Sequence, residues 1–128
     1  LSTKICIDLV SDDGSGGLVV FVGNVRNKTQ DKKVQFLDFE AYEPMAIKEM
    51  KKIAEEAIKR WNLYDMVIHH RVGKVPIGEE AVVIACSSAH RKESFAACEF
   101  AIDTLKETVP IWKKEVFEDG EVWVSAHP

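Results

Sequence analysis

One stretch constrains this chain more than any other: residues 82–115, VVIACSSAHRKESFAACEFAIDTLKETVPIWKKE. The unbroken apolar run 82–86 predicts a buried strand, and the small residues Ser87, Ser88 and Ala89 predict a tight turn. A long amphipathic helix follows and ends before Pro110, which cannot continue it. Phe95, Cys98, Ile102 and Leu105 recur at spacings of three and four, so the helix is expected to bury them as one stripe. Its cations gather at the two ends. His90 and Arg91 stand where the helix begins, with free N–H donors and a partial positive charge beside them, a setting suited to an anion. Lys106, Lys113 and Lys114 lie at and beyond its end. The pattern points to chemistry on an anionic substrate.

The rest of the chain supplies strands and one more helix. Residues 4–10, KICIDLV, predict a short first strand, and SDDGSGG at 11–17 a flexible loop. The glycines there lack the lysine and hydroxyl of a phosphate-binding loop. LVVFV at 18–22 predicts a buried strand that runs into Gly23, Asn24, Val25 and Arg26, where the backbone turns. The polar residues 27–33 form a hairpin loop leading into a strand over 34–42. Glu43 and Pro44 open a helix with Ile47, Met50, Ala54, Ala57, Ile58 and Trp61 on its apolar face. Its lysines and glutamates face solvent. Residues 66–72 predict another strand, 75–80 a turn, and 115–124 a last hairpin around Asp119-Gly120. No linker or repeat divides residues 1–128, so one α+β domain with a mainly antiparallel sheet and two main helices is expected.

Composition excludes several classes. With 46% hydrophobic and 30% charged residues, the chain fits a soluble globular domain, and no apolar run is long enough to span a membrane. A net charge of −4 argues against nucleic acid as a general partner. The first ten residues lack the pattern of a secretory signal, although the chain begins with Leu rather than Met. Cys6, Cys86 and Cys98 have no metal-type spacing and sit among apolar neighbours, as expected of buried, reduced thiols in a cytoplasmic protein. His69 and His70 alternate on a strand without ligand spacing, so no metal and no cofactor is expected, and Arg71 is expected to pair with a carboxylate.

Taken together, FVGNVR (21–26), EAYEPMA (40–46), HRVGKVPIGE (70–79), SSAHR (87–91) and IDTLKETVPIWKKE (102–115) resemble the large, catalytic subunit of molybdopterin synthase. The last segment is the most specific, because two lysines seven apart frame a Pro-x-Trp downstream of Ser-Ala-His-Arg. The resemblance covers nearly the whole chain. It implies an α/β hammerhead fold and a homodimer within a heterotetramer, with a small ubiquitin-like sulfur-carrier subunit at each end. That partner inserts a thiocarboxylated Gly-Gly tail. The implied reaction converts cyclic pyranopterin monophosphate to molybdopterin by installing two sulfurs. The implied substrate contacts are Asn24, Val25, Arg26, His90, Arg91, Lys106, Lys113, Lys114 and Glu115, with Lys106 and Lys113 catalytic. Departures lie in the loop 27–33 and soon after Trp123, which puts contacts from a longer tail in doubt.

The chemistry asks for such residues. Arginine holds phosphate through a planar bidentate fork. Lysines stabilise oxyanions that form as sulfur attacks and oxygen departs, or they transfer protons. Lys106 is expected to be the main catalytic group, and Lys113 to orient substrate and stabilise charge. Adjacent residues of an extended chain face opposite ways, so Lys113 and Lys114 cannot share one pocket. Glu115 is left open between orienting a lysine and touching substrate. Trp112 and Trp123 are open between packing and the groove for the partner's tail, and Phe21 between core and pocket. Sixteen residues of helix place His90 roughly 24 Å from Lys106, so composite sites shared across a dimer are expected. The alternative function is a non-catalytic module that binds a ubiquitin-like tail or a phosphorylated small molecule.

Overall fold

The computed structural model describes residues 2–125. The chain opens with α1 (Thr3–Val10), β1 (Gly17–Asn24), β2 (Lys28–Thr29) and β3 (Lys32–Ala41), followed by α2 (Glu43–Trp61). Then come β4 (Asp65–His70), β5 (Gly73–Pro76), β6 (Glu80–Ser88), α3 (Arg91–Thr108), β7 (Ile111–Phe117) and β8 (Val122–Ser125). Every strand pairing is antiparallel. The architecture is α+β, as expected.

β6 is the centre of the first sheet, between β1 and β4. Its residues 81–88 are all buried, because helices cover both faces. On one side Cys6 and Val10 of α1 pack with Val83 and Ala85. On the other, Ile84 and Cys86 join the main core with Ala97, Ala101 and Leu105 of α3. A fully buried leucine such as Leu105 contributes about 1.5–3 kcal/mol through the apolar surface it removes from water. In the second sheet β3 pairs with β7 along one edge and with β2 and β5 along the other, and β8 adds outside β7.

The two sheets are joined where strands cross between them. β4 ends at His70, the Arg71 N–H still donates to Ala81 at 2.8 Å, and Gly73 turns the chain at φ +85° into β5 of the second sheet. β1 leaves the first sheet at Asn24, after a register slip that follows Gly23. A Cβ at Gly23 would lie 2.6 Å from Val82 Cγ1, so only glycine lets the strands approach so closely there. Both crossings fall beside the C-terminal end of α3.

Several expectations need correction. Residues 4–10 form a helix rather than a strand: Ser2 caps it by accepting from the Ile5 N–H at 3.3 Å, and Cys6 and Val10, one turn apart, face the sheet. The apolar stripe on α3 is rotated. Its buried side is Ser94, Ala97, Cys98, Ala101 and Leu105, whereas Phe95 is 60% exposed. Small side chains let α3 lie close to β1 and β6, and a phenylalanine would not fit between them; Ser94 even donates to the Gly17 carbonyl of β1 at 2.9 Å. On α2 the buried residues are Ala46, Ile53 and Ala57, while Ile47 is exposed. The segment read as a turn after His70 includes β5, and the loop 27–33 is a tight hairpin in which Gln30 and Asp31 both take positive φ, at 49° and 66°. The other helix and strand assignments agree within a few residues.

Candidate active site

A cavity of about 400 Å³ opens at the seam between the sheets. Its residues come from six elements and the loop after β1. From α3, Lys106 follows Ile102 by four residues, which puts both on one face, and both line the cavity. Lys106 also stands in the last turn of the helix, where the dipole favours a cation. The helix then stops. The Val109 N–H bonds back to the Leu105 carbonyl at 3.1 Å, Pro110 interrupts, and β7 begins at Ile111. Along β7 the inward side chains are Ile111, Lys113, Glu115 and Phe117, so Lys113 enters the cavity.

Arg26 and Asn24 arrive from the end of β1. Asn24 donates to the Gly78 carbonyl at 3.2 Å, which ties this corner to the loop before β6. Val25 lies between them. Its side chain is 2% exposed and lies in the core, and its N–H and C=O are bonded to Glu79 and Gly78 at 3.0 and 2.8 Å. These two bonds anchor the turn that presents its two neighbours.

Glu115 is 5% exposed and is bonded within the protein. Its Oε1 accepts from the Thr29 hydroxyl at 2.8 Å and lies 3.8 Å from Lys113 Nζ. The carboxylate thus links the β2–β3 hairpin to the lysine beside it. Lys114 points the other way, to the outer face of the sheet. It pairs with Glu40 at 3.0 Å and does not line the cavity. That bond raises the Lys114 pKa and lowers that of Glu40, which also accepts from Trp112 Nε1 at 3.2 Å. Trp112 is therefore committed to this outer face, and Trp123 packs on Phe117 with ring centroids 4.4 Å apart. Arg71 pairs with Glu79 at 2.9 Å, and Phe21 lines the cavity.

His90 and Arg91 lie elsewhere. His90 caps the far end of α3 and borders a second hollow with Arg60, Trp61 and Glu93. Neither residue lines the cavity that holds Lys106 and Lys113. One protomer therefore separates the two cationic groups that the sequence placed in one site.

One ionisable cavity residue went unassigned in the sequence: His70. Its Nδ1 lies 2.7 Å from the Arg71 carbonyl, and its ring meets Phe39 edge-on with centroids 5.0 Å apart. Burial holds its pKa below the usual histidine value, outweighing the opposite pull of the Arg71 carbonyl. Nε2 is buried without a hydrogen-bond partner among the described residues. An unsatisfied group of that kind costs about 1–3 kcal/mol. The neighbouring His69 instead faces α1, with Nδ1 3.4 Å from Cys6 Sγ. All three cysteines are free and buried; the Cys98 thiol is pushed up by neighbouring Cys86 and by burial. No helix among the described residues is long and apolar enough to cross a membrane.

These features define an α+β protein with a cationic cavity formed where two antiparallel sheets meet a helix C-terminus. The family model described as MoaE protein matches residues 1–108, and the chain belongs to that family. It is 44% identical over 118 residues to the molybdopterin synthase catalytic subunit of Pyrococcus abyssi, covering 92% of this chain and 80% of that one. Against the Bacillus subtilis protein of the same name it is 44% identical over 124 residues, covering 97% and 79%. The crystal structure of molybdopterin synthase from Staphylococcus aureus superposes with a TM-score of 0.93 at 41% identity, covering 99% of this chain and 92% of that one. A complex of subunits 1 and 2 of the molybdopterin-converting factor from Helicobacter pylori aligns with a TM-score of 0.73 at 27% identity, over 90% and 77%.

Proposed function

We propose that this chain is the catalytic subunit of a molybdopterin synthase, acting in molybdenum cofactor biosynthesis as a sulfurtransferase on cyclic pyranopterin monophosphate. The observation that carries this reading is the convergence of Arg26, Lys106 and Lys113 on one cavity in a chain of this family. Arg26 suits the phosphate, by bidentate hydrogen bonds. Lys106, at the helix end and exposed, is free to reach the reacting atoms; Lys113, held from below by Glu115, is the more fixed of the two. In this assignment Lys106 moves protons and stabilises the oxyanion as the thiocarboxylate sulfur attacks, and Lys113 orients the substrate. The sulfur source is the thiocarboxylated tail of a small ubiquitin-like subunit, a partnership in keeping with the two-subunit complex from Helicobacter pylori.

The proposal extends to a homodimer with shared sites. His90 and Arg91 are too far along α3 to join the cavity of their own protomer, and a second copy would bring them to it. Phe95, exposed one turn beyond Arg91, is an apolar contact suited to such a copy. The deciding experiment combines the purified protein with thiocarboxylated small subunit and cyclic pyranopterin monophosphate, with the dithiolene product read by mass spectrometry. Product from the native chain and none from Lys106→Ala is the expected result. Partner binding without product would replace the enzyme by a binding module.

A further inference from the structure

The charged groups in the cavity are donors: the guanidinium of Arg26 and the ammonium groups of Lys106 and Lys113. They serve phosphate and developing oxyanions, but none can receive a proton from a hydrogen-bonding N–H. His70 differs. A backbone carbonyl only accepts, so the 2.7 Å contact with Arg71 fixes the hydrogen on His70 Nδ1. In the neutral ring Nε2 then carries the lone pair. That lone pair has no partner among the described residues, and the ring is part of the cavity wall. Phe39 holds the ring edge-on, and Phe21, Leu37 and Val82 line the cavity around it.

The cavity lining thus combines cationic donors with apolar side chains and a buried acceptor. A phosphorylated substrate whose other half is a flat heterocycle bearing N–H groups matches both. We propose that His70 is a substrate-binding residue, its Nε2 accepting a hydrogen bond from a ring N–H of the pterin while the cations hold the phosphate. The inference rests on the pterin phosphate being the substrate. It adds a specificity contact, because an analogue without that N–H would leave the acceptor unpaired, and such sites reject analogues that lack the donor.

The test compares two variants with two ligands. His70→Phe keeps a ring against Phe39 and removes the acceptor, whereas His70→Gln returns an acceptor oxygen near the position of Nε2. Affinity for cyclic pyranopterin monophosphate and for inorganic phosphate is measured by calorimetry on the full chain. Loss of the acceptor is expected to weaken pterin phosphate about tenfold, in line with one buried hydrogen bond. Inorganic phosphate is expected to bind both variants as it binds the native chain, and His70→Gln to recover most of the lost affinity. Equal weakening of both ligands by His70→Phe would make the residue structural. Unchanged pterin affinity, or a glutamine no better than phenylalanine, would overturn the assignment. Native turnover in the same preparation separates the two ideas: if the native chain makes product and His70→Phe binds like it, only the His70 contact falls. If the native chain neither binds nor converts the pterin, the functional reading falls and takes the contact with it.

Discussion

The two ends of α3 carry similar charges and live in different surroundings. At the C-terminal end, Lys106 has a finished wall around it: β7 brings Lys113, the end of β1 brings Arg26, and the seam between the sheets brings His70. At the N-terminal end, Arg91 is exposed, Phe95 stands in solvent and His90 borders a shallow hollow. The difference shows that charge pattern alone does not mark a site. A cation becomes part of one when neighbouring elements exclude water and add further groups around it. By this measure one end of the helix has a built wall within a single protomer and the other does not.

The largest expected effect breaks the walled end. Lys106→Ala is expected to lower turnover about 10³-fold, within the range for loss of a positioned proton-transfer group. Binding of the small subunit should survive, and single-turnover kinetics would check both. The sharper test of the comparison mixes two inactive chains, His90→Ala and Lys106→Ala. If the ends meet across a two-fold axis, half of the exchanged dimers are hybrids with one intact site each, so activity should return to roughly a quarter of native. Proven subunit exchange without recovery would mean that each protomer works alone.

A third expectation separates neighbours. Lys113→Ala should reduce turnover about 10²-fold, as for removal of a single oxyanion-stabilising donor, whereas Lys114→Ala should leave it at the native level because its side chain lies on the opposite face with Glu40. Behind Lys113, Thr29→Val would strip the buried Glu115 carboxylate of its hydroxyl partner. The expected loss is about 1.5–3 kcal/mol of stability, the worth of a hydrogen bond to a charged group. Urea denaturation would measure it, and an unchanged midpoint would show that the hairpin is not tied through this bond.

Much of this was legible in the sequence, and the misses have physical causes. The strand–turn–helix unit around β6 was clear because a continuous apolar run, small turn residues and a terminal proline all agree. The alternation of β7 gave the opposed directions of Lys113 and Lys114. Residues 4–10 misled because Ile5, Ile7 and Leu9 alternate like a strand while Cys6 and Val10 repeat like a helix; Ser2 as a cap was the signal that decided between them. Phe95 misled because apolar spacing cannot say how close a helix approaches its sheet, and close approach selects alanine and serine. His70 was hidden for a different reason. Which of two adjacent histidines faces the cavity depends on how β4 crosses from one sheet to the other, and that is set by residues far away in the chain.

The smallest expected effect follows from the same histidine. Burial lowers the folded-state pKa of His70, so as pH falls the unfolded chain takes up the proton first. Stability should therefore decline as pH drops through the unfolded value of about 6.5 and level off once the pH is below the depressed folded value. Above that window the neutral ring imposes no such penalty. His70→Phe removes the titrating group, so its unfolding free energy should change less between pH 7.5 and 5.5 than that of the native chain, by about the His70 share. Protonation of the folded ring would also turn Nε2 from acceptor to donor, so pterin affinity should fall at the acidic edge of that window, near and below the depressed folded value, in the native chain and not in His70→Phe. Parallel pH profiles of stability for the two proteins would show that burial of this ring is not what holds it neutral.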